Sequence, residues 1–179
     1  MSFASLGHIA KGPKVALAVS QPPAQTVFRS DRYPKAQESK MTIATDLLQR
    51  HIQTLLDDNA QWQTLIADDI SWELAYAPSI GHPARLSGRA EVVGHATWFV
   101  GAVENFRFFD LKLYALVDPQ GAVAEVKAEG LIKSTGRIYR QDYVLFLRAA
   151  DGKIAFLREY FDPVRAAKAL DTPILGLQS

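Results

Sequence analysis

The stretch GRIYRQDYVLFL, residues 136–147, is rich in Ile, Tyr, Val, Leu and Phe. This composition is typical of a β-strand. Side chains two residues apart in a strand point to the same face, so Arg140 and Asp142 share a face with Val144 and Phe146. The pattern therefore places a guanidinium and a carboxylate beside apolar side chains, which predicts either a polar site in a pocket or a structural ion pair.

The C-terminal half of the chain alternates between apolar and polar residues with a period of two. The connections DPQG (118–121), KSTG (133–136) and ADGK (150–153) carry residues that favour turns. An antiparallel meander of four strands is predicted, at residues 106–117, 122–132, 138–148 and 154–161.

The N-terminal half has helical spacing instead. Apolar residues recur at helical intervals over 43–57, and Asn59 can cap a second, short helix. A strand over 70–77, a loop over 79–88, a helix over 88–103 and a closing helical turn over 164–170 complete the prediction. This order indicates an α+β fold in which three helices cover one face of a curved, mainly antiparallel sheet.

The chain of 179 residues predicts one domain, residues 41–179, preceded by a tail. Residues 1–40 lack clear periodicity and hold six Lys or Arg against two acidic residues, which predicts a disordered or loosely ordered segment. Met41 directly precedes the first helix, so it is an equally good candidate for the true start of the protein.

Composition excludes several classes of function. There is no cysteine, which removes disulfides, thiolate metal sites and a cysteine nucleophile. The domain is slightly acidic, which argues against nucleic acid, and no apolar run could span a membrane. The segment VALAV (15–19) is too short for a signal peptide, so a cytoplasmic protein is expected. His8, His82 and His95 lack metal-ligand spacing, so no metal is expected.

A turn at Ser134–Thr135 would pair Gly130 with Arg140 and Ala128 with Asp142. Arg140 and Asp142 would then face small residues inside a concave, mostly apolar pocket, as small-molecule sites usually do. A shift by one residue would exchange the two faces. In the predicted register the other, convex face carries Tyr139, Gln141, Tyr143, Leu145 and Leu147.

Glu159 is in phase with Leu157 and Phe161 on the last strand, so it is expected to join the same pocket. Two acids with a guanidinium between them form a general acid/base arrangement. Asp142 is predicted as the main acid or base, Glu159 as its partner base and Arg140 as the group that orients Asp142. The alternative is a non-catalytic binding module in which Arg140 and Asp142 form a structural pair.

Five further residues are predicted to contact a small apolar substrate, with structural packing as the alternative for each of them. They lie on helical or strand faces shared with apolar neighbours: His51, Trp72, Tyr76, Trp98 and Phe161.

The element order, with RIYRQDYVLFL (137–147) and DGKIAFLREYFDP (151–163), resembles the nuclear transport factor two-like superfamily over about residues 43–170. More narrowly, it resembles SnoaL-like and ketosteroid-isomerase-related proteins. The resemblance implies that the fold is a cone-shaped barrel with one pocket. It also implies that the protein is an isomerase, cyclase or hydrolase that uses no cofactor. It also implies a homodimer formed through the convex sheet face. A protein-transport adaptor is a third possibility for this fold.

The resemblance also implies roles for single residues. Asp142 lies where ketosteroid isomerases hold a neutral, proton-donating Asp, and His51 lies where they have a catalytic Tyr, while Leu74 stands near the position of their base. By resemblance to limonene-epoxide hydrolases, Asp142 would protonate the epoxide, Glu159 would activate water and Arg140 would hold both acids.

Overall fold

A computed structural model of the protein describes residues 41–176. The helices are α1 (Ile43–Asp57), α2 (Asn59–Leu65), α3 (Gly88–Ala102) and α4 (Pro163–Leu170). The strands are β1 (Ile66–Leu74), β2 (Arg85–Ser87), β3 (Val103–Ala115), β4 (Gly121–Ile132), β5 (Arg137–Ala150) and β6 (Lys153–Tyr160). The predicted α+β class is confirmed. The predicted tail, residues 1–40, lies outside the described residues.

The strands form one curved, unclosed sheet in the order β2-β1-β6-β5-β4-β3. All neighbours are antiparallel except β1 and β6, which run parallel. The inner face of the sheet is covered by α1, which contacts β3 to β6, while α3 packs on β1. The core lies between these helices and the sheet and includes the fully buried Trp62 and Leu48. None of the helices within residues 41–176 is long and apolar enough to cross a membrane.

The first two helices begin at side-chain caps. Thr42 accepts a hydrogen bond from the Thr45 amide, while the Thr45 hydroxyl accepts one from the Thr42 amide, which is a capping box. The predicted bounds of α1 are confirmed. The cap of α2 is Asp58, whose carboxylate accepts from the Gln61 amide, rather than the predicted Asn59.

The fourth helix, α4, was predicted only as a closing turn. Asp162 caps it by accepting from the amides of Val164 and Arg165. The pairing of β5 with β6 starts only at Val144, and α4 contacts β5. The helix thus packs beside the N-terminal half of β5, which has no strand partner on the β6 side. This packing protects a free strand edge.

The region before α3 differs from its prediction. Strand β1 begins at Ile66, earlier than predicted, and ends at Leu74. Part of the predicted loop is the short strand β2, which pairs with β1. Glu73 on β1 accepts hydrogen bonds from Arg85 on β2 and from Arg158 on β6, so one carboxylate links three strands.

The predicted register of β4 and β5 is wrong by one residue. Ile132 pairs with Arg137 and Ala128 with Gln141, because the connection has four residues, 133–136, whereas the predicted pairing of Ile132 with Ile138 leaves five. Its last residue, Gly136, adopts a left-handed conformation (φ 66°), and its amide donates to the Ile132 carbonyl at 2.8 Å. The shift exchanges the two faces of β5. Four side chains predicted on the convex face are therefore buried inside: Tyr139, Tyr143, Leu145 and Leu147.

Gln141 is a buried polar residue on the inner side of β5. Its Nε2 donates to the Asp162 carbonyl at 2.9 Å, and its Oε1 accepts from the Asp162 amide at 3.0 Å. One side-chain amide therefore satisfies both backbone groups at the corner between β6 and α4.

Replacing Gln141 with Leu should destabilise the fold, because the Asp162 amide and carbonyl lose their partners. We expect the free energy of unfolding to fall by about 2–6 kcal/mol, because each of the two unsatisfied groups costs about 1–3 kcal/mol. Urea unfolding followed by circular dichroism measures this loss. The exposed Gln61→Ala is the control and should change stability by no more than about 0.5 kcal/mol. Equal effects of the two variants would contradict the role given to Gln141.

Candidate active site

A cavity of about 90 Å³ lies between the inner face of the sheet and helices α1 and α3. Eleven of its twenty-one lining residues carry aromatic or imidazole rings, and most of the others are aliphatic. The ring-bearing residues are His51, Trp72, His82, His95, Trp98, Phe99, Phe106, Phe108, Tyr139, Tyr143 and Phe161. Such a surface suits the apolar body of a small molecule.

Among the described residues that line this cavity, Glu159 is the only Asp, Glu, Lys or Arg. The side chain projects inward because β6 places Glu159 opposite Leu145 of β5 and beside Leu74 of β1. Burial raises the pKa of the carboxyl to about 7, and the neighbouring Trp72 indole opposes this rise. Glu159 can therefore both take up and release a proton near neutral pH.

The indole of Trp72 borders the cavity beside Glu159 and favours the ionised form of its carboxyl. The Trp72 Nε1 is buried and makes no hydrogen bond of full geometry among residues 41–176. A buried donor whose hydrogen bond is incomplete is costly and is uncommon in folded proteins.

Tyr139 and Tyr143 form a hydroxyl pair on the wall made by β5. Their oxygens are 2.7 Å apart, with the rings of Phe106 and Phe108 beside them. Burial raises the pKa of both phenols, and the nearby Glu159 raises both further. Both tyrosines are therefore neutral. One hydroxyl donates to the other, so the pair has one further hydroxyl hydrogen to donate.

His51 lies on α1, deep in the cavity wall. Its Nδ1 accepts a hydrogen bond from the Trp62 indole at 2.9 Å, and its ring meets that of Trp72 edge-on, with centroids 5.8 Å apart. Burial lowers the pKa of His51 to about 4, so the imidazole is neutral at physiological pH.

The mouth of the cavity is formed by the rings of His82, His95 and Trp98. The Trp98 centroid lies 5.1 Å from that of His82 and 5.7 Å from that of His95, and Trp98 is 46% exposed. Burial, and then the proximity of His82, lowers the pKa of His95.

Five of the predicted site residues meet at this cavity. Glu159, His51, Trp72, Trp98 and Phe161 all line it. Their roles in binding or catalysis stay predictions, as does the expectation that the protein uses neither a metal nor a cofactor.

The predicted placement of Arg140 and Asp142 in the pocket is wrong. The register of β5 turns both side chains to the outer face, where they are 70% and 59% exposed. Arg140 donates to Glu129, its cross-strand partner, and Asp142 accepts from Arg165 of α4 at 2.6 Å. The two residues therefore do not form the structural pair of the alternative prediction either, since each makes a separate surface ion pair with another residue. Such pairs add little stability.

Tyr76 also lies away from the cavity lining. It was expected to continue the alternation of Trp72 and Leu74, but β1 ends at Leu74 and the backbone turns. Tyr76 is 50% exposed and packs against the ring of Tyr160.

The sequence prediction missed the tyrosine pair, His82 and His95 as parts of the site. The tyrosines were assigned to the opposite face, so the correct register alone would have identified them. His95 carries a weaker signal, because it lies one helical turn before Phe99, which also lines the cavity. His82 lies in an irregular segment, where no periodicity indicates the direction of a side chain.

Residues 48–157 match the model of the SnoaL-like domain family. The chain is 30% identical over 128 residues to an uncharacterised PhzA/B-like protein of Pseudomonas aeruginosa. The aligned region covers 71% of this chain and 89% of that protein. A proposed isomerase from Bacillus subtilis superposes with a TM-score of 0.67 at 26% identity, over 74% of this chain and 96% of that one. The Δ5-3-ketosteroid isomerase of a Mycobacterium species has the same fold, with a TM-score of 0.58 at 20% identity over 70% of this chain and 97% of that one.

Glu159 should make the stability of the protein fall as pH rises. Its pKa is about 7 in the folded protein and 4.5 in an ordinary glutamate. Between these values the unfolded chain releases its proton first, so unfolding becomes more favourable. The free energy of unfolding should fall by up to about 3 kcal/mol across this interval and stay low above it.

Glu159→Gln should remove this decline, so the variant should be more stable than the wild type at pH 8 and similar to it at pH 4.5. Denaturant unfolding over this pH range tests the expectation, with Asp142→Asn as the exposed control. A decline that persists in Glu159→Gln would show that another group causes it.

Proposed function

This chain belongs to the SnoaL-like domain family, and we propose that it is an enzyme that moves protons on a small, mainly apolar molecule. The molecule binds in the aromatic cavity, and the reaction class is isomerisation or cyclisation without a cofactor. Glu159 exchanges the proton, and the neutral donors around it hold the ligand.

The observation that carries this proposal is the environment of Glu159. It is a single carboxyl in a cavity whose described lining holds no other Asp, Glu, Lys or Arg, and its pKa is about 7. A general base works best when its pKa lies near the working pH, because it is then both ionised and basic enough. Structural ion pairs also perturb pKa values, but Glu159 has no cationic partner in the cavity lining.

The hydrogen-bond donors supply the second requirement of such a reaction. When Glu159 removes a proton from a bound molecule, negative charge develops elsewhere on it, usually on an oxygen. His51 and the Tyr139–Tyr143 pair are neutral groups in the same cavity. Fixed neutral donors in a dry site stabilise such charge strongly. The proton can then return from Glu159 to another atom of the molecule.

The relatives support this class of reaction. The proposed isomerase from Bacillus subtilis and the mycobacterial ketosteroid isomerase share the fold. The epoxide-hydrolase arrangement expected from Arg140, Asp142 and Glu159 receives no support from the geometry, because only Glu159 reaches the cavity.

The rival function is a non-catalytic module that binds a small molecule in the same cavity. A cytoplasmic location stays a prediction.

We also propose that the protein forms a homodimer through the outer face of the sheet, although not through the tyrosines first expected there. That face exposes Ile138 and Val144, which are 53% and 40% exposed. Arg148 stacks over Phe146, and Arg158 stacks over Phe156, on the neighbouring strand β6. Aromatic and Arg side chains beside apolar residues are enriched at protein interfaces.

Glu159→Gln should abolish turnover, because the amide has a similar shape but cannot exchange a proton. We expect a loss of about 100-fold or more for whichever compound in a panel of enones, steroid-like ketones and epoxides the wild type converts. Product formation is followed by chromatography, and folding by circular dichroism.

Asp142→Asn is the matched control for this experiment. Its side chain lies on the outer face, so turnover should stay within about twofold of the wild type. If no compound is converted but several bind with equal affinity to the wild type and to Glu159→Gln, the binding module is correct. A loss in Asp142→Asn equal to that in Glu159→Gln would contradict the assigned geometry.

Val144→Asp should convert the proposed homodimer into a monomer, since it buries a charge in the centre of the interface. Sedimentation velocity at several concentrations measures the mass. Val117→Asp is the control, because Val117 is fully exposed in the connection between β3 and β4, and it should leave the mass unchanged. A monomeric wild type would overturn the proposal.

A further inference from the structure

The contact between His51 and Trp62 joins two buried side chains from α1 and α2. Trp62 is fully buried and His51 is 2% exposed. The Trp62 Nε1–H donates to His51 Nδ1 at 2.9 Å. An indole nitrogen can only donate, so the nitrogen that faces it must carry no proton.

A neutral imidazole has one proton, so the proton of His51 must lie on Nε2. Within residues 41–176, the His51 side chain makes no hydrogen bond besides the one to Trp62. His51 also lines the cavity. The Nε2–H group is thus the ring donor that remains for a bound molecule.

The reverse arrangement is unfavourable. A proton on Nδ1 would point at the Trp62 N–H, and both donors would be buried without an acceptor. A fully protonated imidazole would have the same conflict and would also place a charge in the core. Trp62 therefore disfavours both the other tautomer and the cation.

We propose that Trp62 is a positioning residue that locks His51 in the Nε2–H tautomer, so that His51 serves a ligand only as a hydrogen-bond donor. Glu159 is then the group that accepts the proton. The tautomer follows from the geometry alone, while its part in catalysis rests on the proposed function.

The surroundings of His51 are consistent with this arrangement. The titratable groups that share its cavity are Glu159 on β6, Tyr139 and Tyr143 on β5, His95 on α3 and His82 before it. None of them is hydrogen-bonded to His51. Burial lowers the pKa of His51 to about 4, which keeps the ring neutral over the pH range of the test.

The first test reads the tautomer without any assay of activity. The full chain is labelled with ¹⁵N-histidine, and long-range ¹H–¹⁵N spectra are recorded from pH 5.5 to 8. Protonated and unprotonated ring nitrogens have well-separated ¹⁵N chemical shifts. We expect His51 to show a bare Nδ1 and a protonated Nε2 throughout. A protonated Nδ1 in the wild type overturns the proposal.

Trp62→Phe removes the donor and keeps most of the ring volume. The His51 signals should then move toward a mixture of tautomers, and its titration should shift to higher pH. Trp98→Phe is the matched control, because that indole also lines the cavity but does not bond His51, and it should leave the His51 tautomer unchanged. An unchanged tautomer in Trp62→Phe would show that Trp62 does not hold it.

The second test separates a donor from a proton carrier, and it needs no variant of Trp62, which could fail to fold. In His51→Gln, the amide can accept from Trp62 through Oε1 and donate to the cavity through Nε2, but it cannot carry a proton. In His51→Phe there is no donor. With a compound that the wild type converts, we expect a loss of about 100-fold in His51→Phe and substantial rescue in His51→Gln.

Equal losses in the two variants would overturn the assignment of His51 as a donor only. If the wild type converts no compound, the affinity of the two variants for a bound ketone replaces turnover, and His51→Gln should again exceed His51→Phe. Such a result would remove the proposed reaction and leave the tautomer lock intact.

Discussion

The hydrogen bond from the Gly136 amide to the Ile132 carbonyl closes the connection between β4 and β5 and sets the register of the whole central pair. Side chains alternate along a strand, so this one closure determines the direction of every side chain on β5. It turns Tyr139 and Tyr143 toward the helices and Arg140 toward solvent. Strand β6 pairs with β5, so the inward direction of Glu159 depends on the same register.

The register also separates charge between the two faces of the sheet. The outer face carries cross-strand ion pairs, among them Lys127 with Asp110 and Arg140 with Glu129. On the inner face, Glu159 is the only Asp, Glu, Lys or Arg in the described cavity lining. A carboxyl in water has an ordinary pKa, whereas one without a cation in an aromatic cavity resists ionisation. The chemistry of the site thus comes from what surrounds Glu159 as much as from Glu159 itself.

Much of this architecture can be predicted from the sequence, because helical spacing, alternation and turn residues are local signals. The direction of Glu159 was predictable since Leu157 and Phe161 fix its phase. The direction of Arg140 was not, because β5 has apolar residues on both faces, and a connection that differs in length by one residue exchanges those faces. The three-residue strand β2 and the parallel pairing of β1 with β6 depend on distant partners, so no local pattern indicates them.

The isolation of Glu159 links occupancy of the cavity to its protonation. Burial already raises the pKa of Glu159 to about 7, and an apolar molecule that shielded the carboxyl further from water would favour its neutral form. Binding at neutral pH is then accompanied by uptake of a proton from the buffer. Affinity for a neutral ligand therefore declines as the solution becomes alkaline, and the heat of binding depends on the ionisation enthalpy of the buffer. In the proposed function, the cavity would thus couple ligand binding to proton uptake before any bond in the ligand changes.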